Sequence, residues 1–139
     1  MFETPLNGLI AATVTPLDSN GLVELAAIKP MIERLIESGV TGLYVCGSTG
    51  EVMSLTCQER KNVVEASVDA AGGRVPVIVQ VGHNSITDAC DLAKHAMSAG
   101  ANVVSATCPS YFKIADTDTL LSCMGQIANA APELPFYYY

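Results

Sequence analysis

Five short apolar runs punctuate this chain, beginning near Gly8, Gly42, Pro76, Asn102 and Pro135, and a helical pattern follows each of the first four. Within each run the apolar residues are consecutive, as in strands covered on both faces. Strand–helix alternation at steps of 26 to 34 residues is the signature of right-handed parallel βαβ units. Two architectures satisfy it, a doubly wound sheet and a (β/α)8 barrel. No Gly-x-Gly-x-x-Gly follows the first strand, so a dinucleotide-binding sheet has no motif support. A barrel takes about 250 residues. With 139 residues, five strands and four helices make just over half of one. Tyr139 stands in mid-strand with no cap, turn or polar tail, and half a barrel leaves a parallel edge unpaired. The expectation is therefore a part of a longer protein.

The helical segments carry their own punctuation. Leu25, Ile28, Met31, Ile32, Leu35 and Ile36 recur at steps of three and four. Pro30 falls among them, so this helix is either kinked or starts later than its pattern; Gly39 closes it. Thr56 and Glu59 form a capping box ahead of a buried face of Val63, Val64, Ser67, Val68 and Ala71, which Gly72-Gly73 ends. Ser85 caps a third helix, with Asp88 three residues on and a stripe of Ile86, Ala89, Ala93, Ala96 and Met97 closed by Gly100. Asp116 or Thr117 caps the fourth, whose apolar face is Leu120, Leu121, Met124, Ile127, Ala128 and Ala131.

Charge and cysteine usage narrow the function classes. The net charge is −7 with no basic cluster, which makes nucleic acid and anionic membrane surfaces poor partners. No apolar run approaches the roughly 20 residues of a membrane span. Met1-Phe2-Glu3-Thr4-Pro5 has no basic region of the secretory type. The five cysteines are odd in number and contain no Cys-x-x-Cys pair. They read as buried thiols of a reducing, cytoplasmic protein with no metal site.

In parallel α/β folds the chemistry sits at the carboxyl ends of the strands. Here those positions are Thr13 and Thr15, Gly47 to Glu51, Gly82 and His83, Pro109 to Lys113, and Tyr139. They are rich in hydroxyls and poor in carboxylates, with no metal triad and no Gly-x-Ser-x-Gly elbow. Ser48 and Thr49 lie between glycines that let the backbone approach a ligand, a pattern that suits a small carboxylate or phosphate and equally an ordinary turn. His83 is a candidate general base with no Asp or Ser partner by spacing, and a loop histidine is commonly solvated. His95 falls in a helix and reads as structural. Lys29, Lys61 and Lys94 fall in helices and Lys113 in a polar loop, so no lysine stands inside an apolar strand. Tyr137 and Tyr139 share one face of the fifth strand and Tyr138 takes the other.

Gly47-Ser48-Thr49-Gly50-Glu51, the first-strand Ala12-Thr13-Val14-Thr15-Pro16 and Leu134-Pro135-Phe136-Tyr137-Tyr138-Tyr139 together resemble the N-acetylneuraminate lyase and dihydrodipicolinate synthase superfamily. The resemblance implies an α/β fold in which residues 1–139 are the N-terminal half of a single (β/α)8 TIM-barrel catalytic domain. It implies a class I aldolase that cleaves N-acetylneuraminate to N-acetylmannosamine and pyruvate, acting as a cytoplasmic homotetramer on small molecules. Neither metal nor cofactor is implied, because a sixth-strand lysine, absent from these residues, forms a Schiff base with pyruvate. Ser48 and Thr49, with the backbone of Gly47 and Gly50, would hold the pyruvate carboxylate. Tyr139 matches the tyrosine that moves the substrate proton, Thr49 would relay to it, and Tyr111 resembles a residue that reaches a neighbouring subunit. The alternatives are dihydrodipicolinate synthase, a 2-keto-3-deoxy sugar acid aldolase, or a non-catalytic keto-acid-binding relative. The 139 residues alone are expected to be inactive.

Overall fold

The computed structural model describes residues 6–139, so the leader reading of Met1 to Pro5 lies outside the described residues. Five strands form one parallel sheet: β1 (Ile10–Ala12), β2 (Gly42–Val45), β3 (Val77–Gln80), β4 (Val103–Ala106) and β5 (Phe136–Tyr138). Their spatial order is β1-β2-β3-β4-β5. A doubly wound sheet reverses its strand order at a switch point; none occurs here, and each strand pairs with its predecessor in the chain. That progression is the expected first part of a (β/α)8 barrel.

The register sorts the side chains by face. Tyr44 pairs with Ile78, Gln80 with Ser105 and Ser105 with Tyr137, which places them on the concave face. Val45, Val79, Val104 and Phe136 are in step on the other face. Against that second face pack α1 (Ile28–Glu37), α2 (Cys57–Ala71), α3 (Ile86–Ser98) and α4 (Thr117–Ala130). Their buried contributions include Ile28 and Ile32, Val63 and Val64, Ala89, Ala93 and Ala96, and Met124 and Ile127. The alanines of α3 let that helix approach the sheet closely. Each helix touches the next in order, so the outer layer follows the sheet.

The cap signals are realised. Thr56 and Glu59 make the reciprocal bonds of a capping box, the Ser85 side chain accepts from the Asp88 N–H, and Asp116 rather than Thr117 caps α4. Pro30 lies in the first turn of α1, where its missing N–H costs nothing. The helix thus starts later than its apolar pattern, after a short 3-10 turn at Leu25–Ala27. Strands are shorter than the apolar runs, and Val14, read as part of the first run, lies beyond β1 and is exposed. Leu121, expected on the buried face of α4, is also exposed. Packing engages the side of the stripe carrying Met124, Ile127 and Ala131 and leaves Leu121 beside a shallow groove with Gly125 and Tyr138. Among the described residues no helix is long and apolar enough to cross a membrane.

Candidate functional site

The chain leaves β2 through Cys46, whose φ of 58° is left-handed, then makes a 3-10 turn at Ser48–Gly50 and returns through Glu51 at φ 53°. Two non-glycine residues in this region are uncommon and cost free energy that surrounding packing must offset. The glycines serve a different purpose, which is space. A Cβ on Gly47 would come within 2.8 Å of the Tyr44 ring, and one on Gly50 within 3.1 Å of the Thr13 carbonyl and 3.2 Å of Thr15 Oγ1. Thr15 Oγ1 donates to the Gly50 carbonyl at 2.7 Å, and the Thr13 N–H donates to the Tyr44 carbonyl at 3.0 Å. The turn is thus fastened to the end of β1. Ser48 and Thr49 stand exposed on its crest, their N–H groups opening the turn without an intrahelical acceptor. Exposed hydroxyls beside N–H groups that lack an intrahelical acceptor suit a carboxylate.

That crest borders a cavity of about 820 Å³ on the concave face. Gly47, Ser48, Thr49, Tyr44, Ser105 and Tyr139 all line it, with Ile10, Ala12 and Ile78 toward its floor. The Tyr44 hydroxyl donates to Ser105 Oγ at 3.2 Å, and its ring lies 5.8 Å from that of Tyr139. Burial pushes the Tyr44 hydroxyl above its ordinary range, against the opposing Ser105 hydrogen bond, so it stays protonated at neutral pH. The Tyr139 N–H donates to the Ala106 carbonyl at 3.1 Å and continues the pairing of β5 past Tyr138. Tyr139 is exposed where it lines the cavity. Five of the six residues expected from sequence fall in or beside this one site: Gly47, Ser48, Thr49 and Tyr139 line the cavity, and Gly50 completes the turn. Tyr44 and Ser105 were not among them. The available signal was alternation, which puts Tyr44 in step with Ala12 and Ile78 on the concave face.

Tyr111 lies elsewhere. Its side chain is exposed and packs edge-on against Phe112, while its N–H and that of Ser110 donate to Asn84 Oδ1. His83 is not the isolated loop histidine expected: the Ser85 N–H donates to Nδ1 at 3.0 Å, and Asp88 Oδ2 lies 3.6 Å from the same nitrogen. His95 Nε2 meets Glu65 Oε1 at 2.8 Å across α2 and α3, a structural contact. Among the described residues no lysine lines the cavity. Of the cysteines only Cys46 is fully buried, and burial pushes its thiol up to about 11; the other four are half-buried, short of the buried set expected. Behind the site Arg60 is buried with no carboxylate partner among the described residues, donating from Nη1 to the Gly82 carbonyl at 3.1 Å and from Nη2 to that of Gln80 at 2.9 Å. It pins α2 to the carboxyl end of β3.

The sequence profile of the Dihydrodipicolinate synthetase family matches residues 5–139. N-acetylneuraminate lyase A of Xenopus laevis is 46% identical over 136 residues, which is 96% of this chain and 45% of that protein. The solved structure of Proteus mirabilis N-acetylneuraminate lyase superposes with a TM-score of 0.95 at 39% identity, covering 98% of this chain and 46% of that one. A prophage protein of the dihydrodipicolinic acid synthase family from E. coli K12, solved in complex with pyruvate, superposes with a TM-score of 0.90 at 30% identity, covering 95% and 44% respectively. The chain therefore spans just under half the length of these relatives.

Proposed function

The chain belongs to the dihydrodipicolinate synthetase family, and from that membership we propose that it supplies the pyruvate-binding and proton-transfer part of a Schiff-base N-acetylneuraminate lyase. The observation that carries the reading is the convergence of Ser48, Thr49 and Tyr139 on one cavity, together with the names of the relatives reported above. Ser48 and Thr49, with the N–H groups of their turn, hold the pyruvate carboxylate and so fix the keto carbon for attack by a lysine. That lysine lies in the sixth strand of the complete protein, outside residues 1–139. The protonated imine it forms accepts the electron pair when the carbon–carbon bond breaks and becomes a neutral enamine.

The sugar hydroxyl must lose its proton as it becomes an aldehyde. Tyr139 takes that proton, and Thr49 relays it. Tyr44 has a separate part. Its hydroxyl is committed to Ser105 and its ring supports that of Tyr139. The complete protein works as a cytoplasmic homotetramer, with Tyr111 at a subunit contact, and needs neither metal nor other cofactor for the cleavage.

The test is pyruvate release from N-acetylneuraminate by the full-length protein and its Tyr139→Phe variant. Tyr139→Phe lowers kcat by about 100- to 10,000-fold, the range for a lost proton-transfer group, with KM little changed. Equal kcat in both proteins removes Tyr139 from the mechanism. No cleavage by the full-length protein, with a keto acid still bound, would instead favour a sibling aldolase, dihydrodipicolinate synthase or a binding-only relative.

A further inference from the structure

Away from the cavity, the start of α2 meets the loop that leads from β3 into α3. Cys57 is the first residue of α2, Asp88 lies in the first turn of α3, and His83 stands in the intervening loop. One donor atom from each lies within 4.8 Å of the other two. We propose that these three residues bind a Zn2+-class divalent cation, a site independent of the lyase reading because none of them lines the cavity.

The donor set suits a borderline-soft ion. Thiolate and imidazole favour zinc over magnesium or calcium, and the carboxylate completes a three-ligand set of the open kind. Thiolate and carboxylate together balance the charge of the ion. The structure holds His83 in the tautomer that coordination needs: a nitrogen accepting the Ser85 N–H at 3.0 Å carries a lone pair and no proton. Asp88 Oδ2 already sits 3.6 Å from that nitrogen. Tetrahedral zinc, with bonds of about 2.0–2.3 Å, sets its ligands roughly 3.3–3.8 Å apart. The His83–Asp88 pair comes close to that spacing, and Cys57, within 4.8 Å of both, needs a side-chain shift of at most about 1.3 Å. Metal entry exchanges the Ser85 bond for a coordinate bond, and the Ser85 hydroxyl goes on capping α3. His83 is about one-third exposed and Asp88 about half, which leaves water as the fourth ligand. The absence of a Cys-x-x-Cys pair hid this site, because its donors come from two βα units and converge only in the fold.

The experiment is a Co2+ titration of the full-length protein by absorbance, followed by Zn2+ displacement. The expected result is one ion per chain, a thiolate-to-cobalt charge-transfer band, and bleaching by one equivalent of Zn2+. Cys57→Ser abolishes the band, while Cys123→Ser, remote from the site, retains it. His83→Gln and Asp88→Asn keep the thiol and weaken Zn2+ binding on the order of 100-fold. Should Cys57→Ser not fold, those two variants decide the question. A band that survives Cys57→Ser, Zn2+ affinity unchanged in His83→Gln and Asp88→Asn, or no stoichiometric binding overturns the site.

Discussion

Gly47→Ala probes the packing on which the site depends. The backbone imposes no obstacle, since φ −81° and ψ −171° at Gly47 are extended and open to alanine. The obstacle is the Tyr44 ring, 2.8 Å from the added Cβ at Cε1 and 2.9 Å at Cδ1. That ring is held from two other sides, by the hydrogen bond to Ser105 at 3.2 Å and by Tyr139 at 5.8 Å. Overpacking costs about 1–3 kcal/mol, and a displaced ring forfeits the Ser105 bond, about 0.5–1.5 kcal/mol. Reduced freedom of the unfolded chain returns about 0.4–1 kcal/mol. The net is a destabilisation of about 0.5–4 kcal/mol. Urea unfolding followed by circular dichroism reads it as a lower midpoint at unchanged slope. Repeating the substitution in a Tyr44→Ala background removes the obstacle and brings the cost below about 1 kcal/mol. An equal cost in the two backgrounds would refute the steric argument, as would a wild-type cost under about 0.5 kcal/mol.

Arg60→Met fills much of the same volume but leaves the Gly82 and Gln80 carbonyls without their donor; it lowers stability by roughly 2–4 kcal/mol, and an unchanged urea midpoint would remove Arg60 from the account. Acid stability follows from five depressed carboxyls among the described residues: Asp18 by the Leu22 N–H, Glu33 by the Arg74 guanidinium, Glu59 by the Thr56 N–H, Asp91 by Lys61 and Asp116 by the Thr119 N–H. Each binds its proton more tightly when unfolded, so the stability it contributes is present above the unfolded value and lost as pH falls through the folded one. The urea midpoint therefore drops between about pH 6 and about pH 3, less steeply in Glu59→Gln, and a midpoint that rises on acidification contradicts these pairings.

What was legible in the sequence was what depends on neighbours along the chain. Apolar runs marked the strands, Thr56 with Glu59, Ser85 and Asp116 marked helix starts, and Gly47 to Glu51 marked the loop at the cavity. Strand order separated the barrel from the doubly wound sheet only in three dimensions. The Tyr44–Ser105 contact was out of reach because it joins β2 to β4 past β3, and so depends on the curvature of the sheet. The left-handed turns at Cys46 and Glu51 carry no glycine to announce them. Leu121 shows the limit of periodicity, which names a broad apolar stripe without saying which side of it the sheet will cover.

The central claim is that the Ser48–Thr49 turn anchors the carboxylate of pyruvate. Borohydride trapping of the full-length protein over a range of pyruvate concentrations, read by intact mass, tests it most directly. The account predicts a single reduced pyruvate adduct in the parent protein. In Ser48→Ala/Thr49→Val it predicts the same adduct at a half-saturating pyruvate concentration roughly 10- to 100-fold higher, the loss expected for hydrogen bonds to a charged group. Trapping of both proteins at the same pyruvate concentration, or no adduct in the parent, would contradict it.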